Sequence, residues 1–280
     1  TTTQQNQDMI MDEFRDEGGI DTATSTNESY DSADFYTNST VAADIDSNTV
    51  LMIHADEADG TAGTSIDDAS ASNHTITAVA DAATSNVETK FDNTLLLDGT
   101  GDYLNVPDNA DWDFGTGDLT IEAWVRFTST SGSQIIFMQY EGGSDLAWLR
   151  WFNGASWKLQ VYSTGGGTLL DLVGVDTLST DTWYHVAAVR NGNDWAIYRD
   201  GVEKASTTNS FTYPNYTGSV YIGADSVGND ALNGNLDELR VTKGEAIWAT
   251  GFTPPTTPYG PATTHDITLI SNTTVAESQP

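Results

Sequence analysis

The sequence predicts an all-β protein made of two packed antiparallel sheets, and three observations carry that prediction. From Thr49 onward, strand-like runs recur every ~10–15 residues, separated by clusters of Gly, Asn, Asp and Ser. Within the runs, apolar and polar residues alternate. Leu119, Ile121, Ala123, Val125 and Phe127 share one face, while Thr120, Glu122 and Arg126 take the other. That period of two marks a sheet with one buried side. Long helical patterns are missing, so the strands must cover one another's apolar faces as two layers.

Taken in order, residues 1–48 form an acidic, Thr/Ser/Asn-rich arm whose sole basic residue is Arg15. The arm has too little apolar content to fold by itself. A helical turn over 8–15 is expected there, and Tyr30, Phe35 and Tyr36 would anchor the arm if it docks on a neighbouring subunit. Strands are expected near 49–54, 74–79, 93–98, 102–107, 118–127, 134–139, 145–152, 156–162, 168–172, 182–190, 193–199, 202–208, 218–223 and 235–242. Asn191-Gly192 and Asp200-Gly201 supply positive φ angles for tight hairpin turns. One helical turn is expected at 245–248. Residues 49–257 thus read as the folded domain, and 258–280 as a Pro-rich exit and the start of a further segment. The chain begins with Thr and becomes apolar-alternating again over 266–280, so it reads as a portion of a longer polypeptide.

Four stretches carry a family resemblance. They are Phe91 to Leu104 with its Leu97-Asp98-Gly99, Leu119-Thr120-Ile121-Glu122-Ala123-Trp124-Val125, Asp181 to Arg190 followed by Trp195 to Val202, and Gly234-Asn235-Leu236-Asp237-Glu238-Leu239-Arg240-Val241. In this order and spacing they resemble the laminin-G-like members of the concanavalin A-type lectin and pentraxin folds. The resemblance implies a two-sheet antiparallel jelly-roll sandwich and leaves the ligand open, because such folds host many functions.

Composition narrows the function further. Forty-one acidic against 10 basic residues give a formal charge of −31, which repels nucleic acid. The chain has no cysteine, so disulfides do not staple it. No apolar run is long enough to span a bilayer. Catalysis lacks its carboxylates. Hydrolases resembling this fold carry Glu-x-Asp-x-x-Glu, and here Glu57-Ala58-Asp59-Gly60-Thr61-Ala62 lacks the last acid. His54, His74, His185 and His265 have no nucleophile elbow beside them. The expectation is a non-enzymatic protein.

Two ligand sites are expected. The pentraxin-like alignment implies a calcium site at Asp145, with Asp225 and Asp230 as partners, since calcium takes carboxylate and carbonyl oxygens from loops. Ordinary turn chemistry is the competing role for these aspartates. Glycan contacts are expected at Tyr140, Trp148 and Trp157, because sugars stack on exposed rings. Trp148 and Trp151 lie on opposite faces of one strand. Asp56, Glu57, Asp59, Asp67 and Asp68 form a second acidic loop whose expected role is turn formation. Asp237, placed on one face with Leu239 and Val241, is expected to be a hydrogen-bonded anchor.

The leader segments 12–22 and 25–32 look like stretches of marine phage structural and tail-fibre proteins. The expected role is therefore a virion or cell-surface appendage component, located on a virion surface or outside the cell. Its expected partners are a cell-surface glycan or other virion proteins, with avidity from homo-oligomerisation or a larger assembly. A secreted bacterial carbohydrate-binding or adhesion module and an architectural capsid decoration are the alternatives.

Overall fold

The computed structural model describes residues 44–261. The helical turn expected at 8–15 and the anchors Tyr30, Phe35 and Tyr36 lie outside the described residues. In chain order, the first strands are β1 (Asp44–Ile45), β2 (Thr49–Ile53), β3 (Thr77–Val79), β4 (Ala83–Ser85), β5 (Thr94–Asp98) and β6 (Tyr103–Val106). Then come β7 (Leu119–Phe127), β8 (Gln134–Gly142), β9 (Asp145–Phe152), β10 (Ser156–Ser163), β11 (Gly167–Val175) and β12 (Trp183–Asn191). The last are β13 (Asp194–Arg199), β14 (Val202–Thr208), β15 (Val220–Ile222), β16 (Asn233–Lys243) and β17 (Gly260–Pro261).

Two antiparallel sheets stack as a jelly-roll sandwich, as expected. One has seven strands in the order β11-β10-β9-β8-β15-β6-β3. The other has eight, ordered β14-β13-β12-β7-β16-β5-β4, with β2 joined to β16. β1 and β17 pair in parallel, so strand pairing reaches beyond the 49–257 span at both ends.

The core lies between the sheets. Ile121, Ala123, Val125 and Phe127 of β7 meet Ala147, Leu149 and Trp151 of β9 and Trp157, Leu159 and Val161 of β10 in one apolar cluster. Trp151 and Trp157 touch edge to face with ring centres 5.2 Å apart, and Phe127 lies 6.0 Å from Trp157. Such pairs add to the free energy of area burial.

Three local expectations need correction. The β12–β13 turn centres on Gly192-Asn193 rather than Asn191-Gly192: Asn191 still pairs with Asp194, and Gly192 takes φ +60°. Residues 245–248 form no helix, and Ile247-Trp248 make a simple turn. Most importantly, β7 is buried on both faces. The segment 244–260 lies across the outer face of the eight-stranded sheet, stacking Phe252 on Trp248 with ring centres 3.9 Å apart. This strap is tied down by Phe252 N donating to Gly201 O (3.1 Å) and Ile247 N donating to Thr120 Oγ1 (3.0 Å).

β16 carries a β-bulge. Asp237 opposes Trp124 and Arg240 opposes Glu122, so three steps on β16 span two on β7. Glu238 absorbs the extra residue at φ +52°. The bulge resets the alternation: Leu236 and Leu239 both face the core, and Asp237 lies on the outer side instead of sharing a face with Leu239 and Val241.

Candidate functional site

The outer face of the seven-stranded sheet is assembled by strand register. Residues directly opposite one another share a face, and here Asn105, Tyr221, Met138, Trp148, Gln160 and Asp171 form one row across six strands. Flanking rows add Tyr140, Leu146 and Tyr162 on one side and Arg150 and Lys158 on the other. Trp148, Phe152, Lys158, Tyr162 and Tyr221 are all half-buried.

Gln160 is the hub of this face. Its Oε1 accepts from Trp148 Nε1 (2.8 Å) and Arg150 Nη2 (3.1 Å), and its Nε2 donates to Tyr162 OH (2.6 Å) and Asp171 Oδ1 (2.9 Å). Arg150 Nη1 donates to Asp230 Oδ2 at 3.0 Å, while the guanidinium stacks 3.6 Å from the Trp148 ring centre. Lys158 lies 4.2 Å from the centre of Phe152. Burial and the nearby Asp171 charge push the Tyr162 phenol up, so at neutral pH its O–H is a donor. Aromatic edges, an amide, a carboxylate and a phenol are therefore fixed on one sheet surface before any ligand arrives, with Arg150 and Lys158 each facing a carboxylate.

A family model described as the concanavalin A-like lectin/glucanases superfamily matches residues 98–246, more than half of the 280 residues. The chain belongs to this superfamily. Its fold is similar to the binding domain of Paraclostridial Mosquitocidal Protein 1, with TM-score 0.56 and 15% identity over 71% of this chain and 50% of that one. The binding domain of botulinum neurotoxin serotype D matches with TM-score 0.56 and 16% identity, over 72% of this chain and 50% of that one. The chain thus spans about half the length of these toxin domains. Domain 4 of AbnA, a GH43 extracellular arabinanase from Geobacillus stearothermophilus solved with arabinotriose, matches with TM-score 0.50 and 18% identity, over 71% of this chain and 94% of that one. At such identities the likeness shows the fold. No curated protein matches the chain.

In this superfamily member, Tyr140 and Trp148 share the outer face, and Trp148 and Trp151 point to opposite sides. Trp157 does not belong with them. It is 0% exposed in the core, and its Nε1 donates to Asp176 Oδ2 at 3.1 Å. The alternation of Trp157, Leu159 and Val161 with Lys158 and Gln160 is the signal that places it inside.

The calcium trio is not brought together either. Asp145 is held by Thr164, accepting from its N at 2.6 Å and from its Oγ1. Asp225 caps its own loop, accepting from Val227 N (2.9 Å) and Asn229 N (2.8 Å). Asp230 pairs with Arg150. The three carboxylates thus serve turns and an ion pair and do not fit a shared ion. Likewise, in the second acidic loop Asp68 binds Met52 N (2.9 Å) and His74 N (2.8 Å), and Glu57 binds Asp67 N (2.7 Å), as turn formation requires.

Two further polar regions were not legible in the sequence. Beneath the strap, Glu122 faces Arg240 Nη2 (2.5 Å), His185 Nε2 (3.1 Å) and Trp248 Nε1 (2.5 Å), with Glu122, His185 and Arg240 all 0% exposed. Sealed from solvent, this network braces the fold and reaches no ligand. On the same sheet a cleft of about 270 Å³ lies between Tyr198, Glu203, Ser206 and Trp248. Its polar groups pair with one another, Ser206 Oγ donating to Glu203 Oε1 at 2.6 Å.

Proposed function

We propose that this chain is a non-enzymatic glycan-binding module carried by a virion or cell-surface appendage, and that it recognises sugar on the outer face of the seven-stranded sheet. The observation that carries this reading is the Gln160 hub. It holds Trp148 and Tyr162 as half-exposed rings beside the exposed carboxylate of Asp171, the combination of apolar surface and fixed polar groups that a pyranose or furanose requires. Because Arg150 and Lys158 are matched by Asp230 and Asp171, the face is suited to neutral rather than acidic sugars. The arabinotriose held by the arabinanase domain supports sugar as the ligand class.

Glycan-array binding followed by titration tests the proposal. Trp148→Ala is expected to weaken binding at least ~10-fold, about 1.4 kcal/mol, with the melting temperature nearly unchanged. Absence of binding on a broad array, or equal binding by the variant, overturns it. The extent of the arabinanase match favours one second reading, a secreted bacterial carbohydrate-binding module. Mass spectrometry of purified virus particles separates the two.

A further inference from the structure

We propose that the cleft between the strap and the β13–β14 hairpin binds a linear polyamine, whose two ammonium ends reach Asp194 and Glu203. Strand register builds this cleft. Across β12, β13 and β14, Val189, Ala196 and Ser206 stand opposite one another in one row. Opposed residues share a face, so this row of short side chains forms a low floor. Ala187, Tyr198 and Glu203 form the next row on one side, and Asn191, Asp194 and Thr208 the next on the other. Trp248 and Ala249 of the strap complete a lining that encloses about 270 Å³.

The two flanking rows each carry an exposed carboxylate. Asp194 and Tyr198, the partner of Glu203, lie at i and i+4 on β13, which separates the two acids by ~13 Å along the strand. Each acid is held from one side. Thr208 Oγ1 donates to Asp194 Oδ1 and Ser206 Oγ donates to Glu203 Oε1, both at 2.6 Å. Among the described residues, Asp194 Oδ2 and Glu203 Oε2 accept no hydrogen bond, and neither acid forms an ion pair. Between them the lining is apolar or aromatic. Phe252 fixes the rings there, stacking on Trp248 and meeting Tyr198 edge to face with centres 5.5 Å apart.

A linear polyamine matches this distribution of charge and apolar surface. Its methylenes cover Val189 and Ala196, its terminal ammonium groups pair with the two carboxylates, and the Tyr198 and Trp248 rings attract the same cations. A metal ion or a monoamine satisfies one end and leaves the other. A neutral sugar leaves both acids without a counter-charge. The formal −31 charge draws cations to the whole surface. The cleft adds a fixed spacing and an apolar floor, which select for length.

Calorimetric titration of the full chain with spermidine at about 0.15 M salt tests the proposal. One saturable site is expected. Putrescine, too short to reach both carboxylates, is expected to bind at least ~10-fold more weakly. Asp194→Asn and Glu203→Gln are each expected to weaken spermidine about threefold to fivefold, as loss of one exposed ammonium contact implies, with the melting temperature nearly unchanged. Ala196→Leu fills the floor and is expected to abolish binding; should it fail to fold, the two carboxylate variants carry the test. Asp108→Asn, an exposed carboxylate outside the cleft, and Trp148→Ala on the sugar face are expected to bind spermidine as wild type does. Loss of sugar binding and loss of polyamine binding are therefore separable. No saturable binding, or equal affinities in Asp108→Asn, Asp194→Asn and Glu203→Gln, overturns the site. Equal affinities for putrescine and spermidine overturn the two-ended assignment.

Discussion

Glu122 shows how much a single residue's meaning depends on what covers it. Burial by itself would raise its pKa. The Arg240 charge, followed by the His185 and Trp248 contacts, overcomes that effect and holds the carboxyl at about 2, below the ordinary 4.5. A depressed folded-state pKa stabilises the fold fully above the unfolded value and progressively less as pH falls toward the folded one. Urea midpoints are therefore expected to drop between about pH 4.5 and pH 2, with Glu122 contributing up to about 3 kcal/mol of the loss. Glu122→Gln removes the counter-charge of a buried guanidinium and is expected to cost about 3–5 kcal/mol at neutral pH. An unfolding free energy within about 0.5 kcal/mol of wild type would contradict this account. In the sequence, Glu122 is an ordinary polar position in an alternating strand.

At the scale of elements, the strap and the β13–β14 hairpin depend on each other. Asp200 and Gly201 both adopt positive φ, 51° and 74°, as the Asp-Gly pair predicts. Gly201 has a second constraint: a Cβ there would lie 1.7 Å from Phe252 O. Gly201→Ala is thus expected to displace the strap and cost about 2 kcal/mol or more. Gly192→Ala, at φ +60° with nothing within 4 Å among the described residues, is expected to lose only about 1–2 kcal/mol from backbone strain. Chemical denaturation of the two variants makes the comparison. Equal losses would mean that the strap does not press on the turn. The turn residues were readable locally, whereas the strap's position depends on contacts such as Tyr259 N to Glu238, 21 positions away.

For the whole molecule, charge dominates. A formal −31 on 280 residues implies strong self-repulsion. Raising sodium chloride from low salt to about 0.5 M shortens the screening length to a few ångströms, and the melting temperature is expected to rise. A fall would mean that ion pairs such as Arg199–Asp176 (2.9 Å) outweigh the repulsion. The same excess charge explains why the cations of the proposed sugar face, Arg150 and Lys158, are each matched by a carboxylate.

The strand inventory from 49–54 to 235–242 was determined by the sequence itself, because alternation and turn residues act over a few positions. β4 and the β1–β17 pair escaped notice since strands of two or three residues exist only through their partners. Parity separated Trp148 from Trp151, and the same parity assigns Trp157 to the core. Which oxygens meet was decided by the tertiary structure alone. The expected calcium residues dispersed to Thr164, Arg150 and an Asx loop, while an extra residue at Glu238 turned Asp237 to the outer side of the sheet. Alternation is a local property of the chain, but a bulge, a covering strap and a convergence of carboxylates arise from pairing between residues far apart in sequence.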